Sequence, residues 1–448
     1  MKIYERISDD IRGYIIDEKV PQGFKLPSIN ELCRKYSCSK GTVIKAYESL
    51  CSEHIVYAIP QKGFFVADNL VRFSNENSDS YDLSTGNPPV NSIPVKDIQH
   101  CLNSAVERYS DISLALSSTG LQSVYDILPE LLGKSDIYCS RKNIYLSQGV
   151  LQVLTLLSKM PFPNGNDTIL IEEPSYVYYI HFLKDENLKV KTIKRNEDGI
   201  DLRELENIFK YENIKFFYTI PRNHNPLGTY YSLKQRKSII ELAHKYNVYV
   251  VEDDYFSDVY NLPNYSPIYY YSDFKNCIYL KSYSKTIPYI RIGAAVIPDD
   301  LIDTYEKWMY YSYYYSYYMP SLVSQATFES YIKSNIYEKH IKIIDGHIKE
   351  MLKSFRKITG KWDSDIVKVI GGKSGYYSTL VLNKKIKSDR LLENLKKRNI
   401  SASSNKEAYY NTDEYDNSIR ISIARLNSTR LKRVLEIIYE EILILYLQ

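Results

Sequence analysis

Four short segments of this chain carry residue types that do little apart and much together. Asn223-His224-Asn225-Pro226-Leu227-Gly228 sets amides and an imidazole in a turn, and Glu252-Asp253-Asp254-Tyr255 puts three carboxyls beside a phenol, with Asp253 28 residues beyond Asn225. Ser282-Tyr283-Ser284-Lys285 ends in an amine, and Arg291-Ile292-Gly293 adds a guanidinium six residues after Lys285. An amine that can form a Schiff base and an acid that can hold a ring nitrogen protonated are two requirements of pyridoxal phosphate; the others are a donor for the ring oxygen, cations and amides for the phosphate, and an aromatic lid. Any one of these segments is commonplace, but the set and its spacing are not.

The elements that must position them read as an α/β domain. Apolar runs at 144–146, 168–171, 215–218, 248–251 and 277–280 alternate with helical patterns, which predicts a largely parallel sheet. Each chemical segment then falls just beyond a strand's C-terminal end, the edge where open α/β sheets bind ligands.

Residues 1–68 form a different unit. Ile3, Ile7, Ile11 and Ile15 recur at helical spacing before the break at Pro21-Gln22-Gly23. A short helix follows Ser28, a third is capped by Ser39, and two strands at 55–59 and 64–66 flank a Pro60-to-Gly63 turn, the pattern of a winged helix-turn-helix. The third helix of such a unit enters the major groove. Here Ser39, Lys40, Thr42 and Lys45 offer hydroxyls and cations at its start, Ser28 lies at the start of the second helix, and Lys62 sits at the hairpin tip. Between residues 25 and 66 six basic residues face three acidic ones, enough for phosphate contacts but equally the signature of a solvated basic face. The polar stretch 69–80 reads as a short linker, and 81–448 as the large domain.

Two resemblances sharpen this. L-P-S-I-N-E-L, S-K-G-T-V-I-K-A-Y-E-S-L and Q-K-G-F-F-V, across residues 2–67, resemble the GntR family of winged-helix regulators, except that Asn30 stands where the family usually has Arg. H-N-P-L-G, E-D-D-Y and S-Y-S-K-T-I-P-Y-I-R-I-G resemble, in order, the motifs of fold type I aminotransferases. Joined, they look like the MocR/GabR subfamily, which implies a small C-terminal α+β subdomain at about 335–448 and a head-to-tail homodimer.

The same resemblance implies residue roles. Lys285 is the Schiff-base lysine, and Asp253 pairs with the pyridine nitrogen, although a looser alignment would choose Asp254 or Glu252. Asn225 and Tyr255 hold the ring oxygen; Arg291, Ser282 and Ser284, with the amides of Gly149, Val150 and Leu151 in L-S-Q-G-V-L-Q, hold the phosphate. Tyr176 stacks on the ring or is simply a core or surface tyrosine. Arg420 grips an effector carboxylate bidentately beside Gly86, with Arg222 a further pocket cation or a surface arginine. The family carries Tyr near Ala115 and Gly at Tyr289, and this chain has neither.

Composition bounds the alternatives. The 448 residues are 44% hydrophobic and 25% charged with a net charge of +4, and no stretch reaches the ~18 apolar residues of a membrane span. The six cysteines form no C-x-x-C, no metal site is expected, and a cytoplasmic protein is. Tyrosine is over-represented, with 45 against 13 Phe, which suits stacking surfaces or a mere compositional habit. The leading expectation is a pyridoxal-phosphate-dependent regulator that binds double-stranded operator DNA and senses an amino acid, amine or vitamin-related effector through an aldimine at Lys285. The alternative is a working aminotransferase carrying a DNA-binding domain.

Overall fold

A computed structural model describes residues 3–67 except 19, 22, 53 and 54; 80–110 except 90–92; 120–258; 262; 265–316; and 319–448. The chain divides into two compact units, Met1–Asp79 and Ser80–Gln448. The stretch expected to link them lies outside the described residues but for Ser80, and so does Ala115.

The first unit holds α1 (Ile3–Asp17), α2 (Ile29–Tyr36), α3 (Lys40–Ser52) and an antiparallel hairpin of β1 (Val56–Ile59) and β2 (Gly63–Val66). The helical spacing of Ile7, Ile11 and Ile15 puts them on one buried stripe against Leu32, Val43, Tyr47 and Leu50. Tyr47 stacks on Phe64 of the wing with ring centres 3.9 Å apart. A capping box starts α2: Ser28 Oγ accepts from the Glu31 amide at 3.3 Å, and the Glu31 carboxylate accepts from the Ser28 amide at 2.6 Å. Ser37, in the left-handed region at φ 48°, ends it.

In the second unit β3 (Tyr81–Asp82) comes first. A central sheet follows, built from β4 (Ile144–Ser147), β5 (Thr168–Glu173), β6 (Val190–Asn196), β7 (Gly199–Ile200), β8 (Ile214–Thr219), β9 (Tyr249–Asp253), β10 (Cys277–Ser282) and β11 (Gly293–Val296). Their spatial order is β4-β11-β10-β9-β8-β5-β6-β7. The pairs from β10 through β6 are parallel, while β11 runs antiparallel to both β10 and β4, and β7 to β6. The expected mostly parallel sheet is borne out. Its strands read as continuous apolar runs because both faces are covered: Leu170, Phe217, Val250 and Tyr279 enter one core, Ile171, Phe216, Val251 and Leu280 the other. No helix among the described residues is long and apolar enough to cross a membrane.

A smaller antiparallel sheet contains β12 (Val367–Gly371) and β13 (Tyr377–Leu382); after β14 (Ile400–Ser401), β15 (Ser403–Ser404) and β16 (Ser418–Ser422) complete it in the order β12-β13-β16-β15. The segment at 335–448 is not self-contained, since β14 pairs in parallel with β3 and so draws residues 81–82 to it. That pairing fixes where the chain around Gly86 runs.

The two sheets meet closely at Gly228, whose φ is +66° and where a Cβ would lie 2.0 Å from the Tyr377 carbonyl oxygen. Backbone on both sides cannot yield. Gly228→Ala should therefore lower the unfolding free energy of the large unit by about 2 kcal/mol, checked by urea denaturation beside the unsubstituted chain.

Candidate cofactor and effector site

Parallel pairing brings the C-terminal ends of β8, β9 and β10 to one edge, and the chemistry begins with the acids that end β9. Asp253 is buried; its Oδ2 accepts from the Tyr218 hydroxyl at 2.8 Å, while Oδ1 has no partner. Desolvation pushes its carboxyl up to about 7. The neighbouring acids are occupied. Glu252 accepts from the Ile268 and Tyr269 amides at 2.9 and 2.8 Å. Asp254 takes the Arg222 guanidinium, Nε at 2.7 Å with Nη2 on the other oxygen, and the Tyr279 hydroxyl at 2.8 Å. Of the three, only Asp253 offers an open buried oxygen, the acceptor a protonated ring nitrogen needs. The residues present thus fit a pyridine ring.

Lys285 lies in the turn after β10, where the Thr286 and Ile287 amides both donate to the Tyr283 carbonyl at 3.1 and 2.9 Å. Its Nζ donates to the Gly86 carbonyl at 3.1 Å and to Asn87 Oδ1. Burial, then the nearby Arg420 and Arg291 charges, lower its pKa to about 8. Tyr176 is half-buried at the start of helix Val177–Asp185, and burial followed by the Asp253 carboxylate pushes its phenol up. Tyr255 donates to the Asn223 carbonyl at 2.8 Å, and Asn225 Oδ1 accepts from Arg420 Nη1 at 3.0 Å.

The residues expected to hold a phosphate are placed by strand register. Ser282 lies opposite Gly293, and Gly293 opposite Ser147, in one row across the sheet. Two residues past Ser147, Gly149 caps helix Val150–Lys159 at φ +131°, and the first-turn amides of Val150 and Leu151 have no partner within the helix. Arg291 Nε donates to the Gln148 carbonyl at 3.4 Å, and the Ser284 amide to Ser282 Oγ at 3.3 Å. Arg291 does not follow a strand end, as the spacing suggested. It precedes β11, and reaches the same edge because that strand is antiparallel.

Arg420 projects from β16. Nη2 donates to the Ser84 carbonyl at 2.6 Å, the guanidinium stands 4.7 Å from the Tyr377 ring centre, and buried Nε has no partner. Gly86 packs so closely that a Cβ would lie 2.0 Å from Tyr377 Oη. Arg222 is the correction among the pocket residues. It is buried in its pair with Asp254 and lies 4.9 Å from the Tyr265 ring centre, so its charge answers a buried carboxylate that hydrogen bonds and this ion pair together satisfy.

Sequence reasoning missed the groups holding these acids. Tyr218 and Tyr279 are two. A third is the cluster on Glu172, which accepts from the Ile220 amide at 2.9 Å, Thr219 Oγ1 at 2.8 Å, Arg195 and Tyr231, with His224 Nε2 at 3.2 Å. Burial pushes the Glu172 carboxyl up, but Arg195 and His224 outweigh it and hold it at about 2. This carboxylate anchors the start of the loop carrying Asn225. The only signal was an acid at the end of an otherwise apolar strand.

In the N-terminal unit Lys40 and Lys62 are exposed, Ser39 Oγ lies 2.9 Å from Thr42 Oγ1, and the Lys45 ammonium stands 4.6 Å from the Tyr4 ring centre. Ser28 is taken up in the α2 cap, and Asn30 is exposed on that helix.

Two outcomes follow. Asp253→Asn should weaken pyridoxal phosphate binding about tenfold by loss of a charged hydrogen bond, whereas Asp254→Asn should mainly cost stability, about 3 kcal/mol, by orphaning Arg222; fluorescence titration and urea denaturation separate them. A lysine whose pKa falls to about 8 is protonated below and reactive above that pH. Capture of pyridoxal phosphate by the cofactor-free chain, followed by visible absorbance, should therefore rise with pH to half its maximum near about 8, not near the usual lysine value of about 10.4.

Comparison with known proteins agrees with both units. Residues 3–66 match the model of bacterial regulatory proteins of the gntR family, and residues 78–438 that of aminotransferase class I and II. The uncharacterized HTH-type transcriptional regulator YcxD of Bacillus subtilis is 32% identical over 97% of this chain and 98% of its own. HTH-type transcriptional regulator NorG of Staphylococcus aureus is 26% identical over 93% and 98%. Among solved structures, a multiple substrate aminotransferase from Thermococcus profundus superposes with a TM-score of 0.74 at 22% identity, over 83% of this chain and 93% of that one. Kynurenine aminotransferase from Pyrococcus horikoshii gives 0.73 at 23% identity, over 82% and 91%. With a winged helix and a class I and II aminotransferase domain in one polypeptide, the chain belongs to the GntR family of bacterial regulators as a transcriptional regulator of the MocR/GabR type, with pyridoxal 5′-phosphate as its cofactor.

Proposed function

We propose that the large unit senses an α-amino acid or a related amine at Lys285, and that the effector changes how a head-to-tail homodimer engages operator DNA. One observation carries the choice of effector class. Lys285 Nζ and Arg420 both bond the chain around Gly86, to the carbonyls of Gly86 and Ser84, and Arg420 keeps an unpartnered buried Nε. An amine directed at Lys285 then leaves its α-carboxylate beside an open guanidinium donor, the geometry in which Arg excels.

When bound, pyridoxal phosphate supplies a carbonyl carbon that condenses with amines. The chain's residues do the rest. Asp253 Oδ1 would hold the ring nitrogen, with Tyr218 fixing the carboxylate; Tyr176 would cover the ring; Asn225 and Tyr255 would hold its oxygen. Ser282, Ser284, Arg291 and the amides of Gly149 to Leu151 would take the phosphate. Lys40, Thr42, Lys45 and Lys62, with Ser39, would contact DNA, largely at phosphates. A signal requires only that the effector bind two conformations with different affinity.

The alternative, a turning-over aminotransferase, is favoured by the Lys285 pKa near about 8, which lets the amine move protons at neutral pH. A gel-shift with the DNA upstream of the chain's own gene tests the regulator reading: a specific complex that changes with cofactor and an amino acid is expected, and no specific binding under any condition overturns it. Spectroscopic half-reactions across amino donors should stall without a keto-acid acceptor being consumed; many turnovers would instead establish the enzyme.

A further inference from the structure

Two buried polar side chains, Tyr331 and His340, and the half-buried Asp97 form a relay from three helices to the peptide that follows Lys285. Asp97 belongs to helix Val95–Arg108, Tyr331 to helix Leu322–Lys333 and His340 to helix Ile336–Thr359. Asp97 Oδ2 lies 2.8 Å from His340 Nε2, and His340 Nδ1 lies 2.9 Å from Tyr331 Oη. The same hydroxyl is 3.2 Å from the Thr286 carbonyl oxygen. Tyr331 and His340 are 0% exposed and Thr286 is 1% exposed, so water does not supply substitute partners.

A tyrosine hydroxyl has one proton to give, and here two acceptors compete for it. Asp97 is held below the usual carboxylate range by hydrogen bonds from Lys339 and His340, so it only accepts, and His340 Nε2 must carry hydrogen. In neutral His340 the lone pair is then at Nδ1 and takes the Tyr331 proton, leaving the Thr286 carbonyl unbound by it. In the imidazolium both nitrogens donate. Tyr331 Oη then accepts from Nδ1–H, and its own proton turns to Thr286.

We propose that Tyr331 is a positioning residue for the Lys285 turn, and that the proton on His340 decides whether its hydroxyl ties down the Thr286 carbonyl. The link to the cofactor rests on the reading of Lys285 above; the switch itself does not. The groups facing it are few. Asp97 favours the imidazolium and Lys339 opposes it, while burial opposes it most and keeps His340 below the usual histidine value. Around Tyr331 stand Cys101, Asp258 and the Tyr337 ring, 5.8 Å away. The switch therefore works below the usual histidine value.

Amide exchange of the full-length, cofactor-free chain tests it, read by mass spectrometry from about pH 5 to about pH 8 and corrected for intrinsic rates. Protection of the Thr286 and Ile287 amides should rise about fivefold as pH falls, the equilibrium worth of one net hydrogen bond. It should stay flat in Tyr331→Phe and in His340→Gln, the second variant serving if the first does not fold. A flat profile in the unsubstituted chain, or a step that persists in a folded variant, overturns the proposal. With pyridoxal phosphate loaded, the visible band should titrate with the same step. Exchange that steps while the band does not supports the switch and overturns its link to the cofactor.

Discussion

Three successive carboxyl groups, Glu252, Asp253 and Asp254, are carried into the interior at the end of β9, and a buried carboxylate must be paired or hydrogen-bonded. Much of the site is the solution to that constraint. Two backbone amides take Glu252, a guanidinium and a phenol take Asp254, and Asp253 keeps one oxygen open. Which acid keeps an open oxygen is thus decided by how the other two are satisfied. The same rule governs Glu172, whose hydrogen bonds from three side chains and one amide lock the loop that presents Asn225.

The surroundings of Lys285 and Arg420 depend on a second constraint, the joining of distant segments. Pairing of β3 with β14 draws the start of the large unit to its C-terminal part, and the chain then passes Ser84 and Gly86 within reach of both Arg420 and Lys285. Gly86 has no side chain because Tyr377 occupies the space, and Gly228 none because the Tyr377 backbone does. One tyrosine of the small sheet thereby sets how closely both loops approach.

The abundance of tyrosine reads differently once its hydroxyls are located. Tyr218, Tyr231 and Tyr279 each donate to a buried carboxylate, and Tyr331 ends on the peptide after Lys285. A phenol suits these places because it fills core volume and still supplies one donor. Others are surface: Tyr310 and Tyr311 are exposed on helix Ile302–Ser316. Composition cannot sort the two groups, since both look alike as letters.

Local pattern alone established the winged helix, the alternation that makes a parallel sheet, and the four segments around Asn225, Asp253, Lys285 and Arg291, because helix caps, strand runs and turn motifs are short-range. The identity of the regulator family was legible for the same reason. Long-range pairing decided the rest. Arg222 became the counter-ion of Asp254 through burial, Arg291 reached the edge from an antiparallel strand, and residues 81–82 joined a sheet more than 300 residues away. Partners so far apart in sequence leave no periodic trace, and only the closed tertiary structure states which charge answers which.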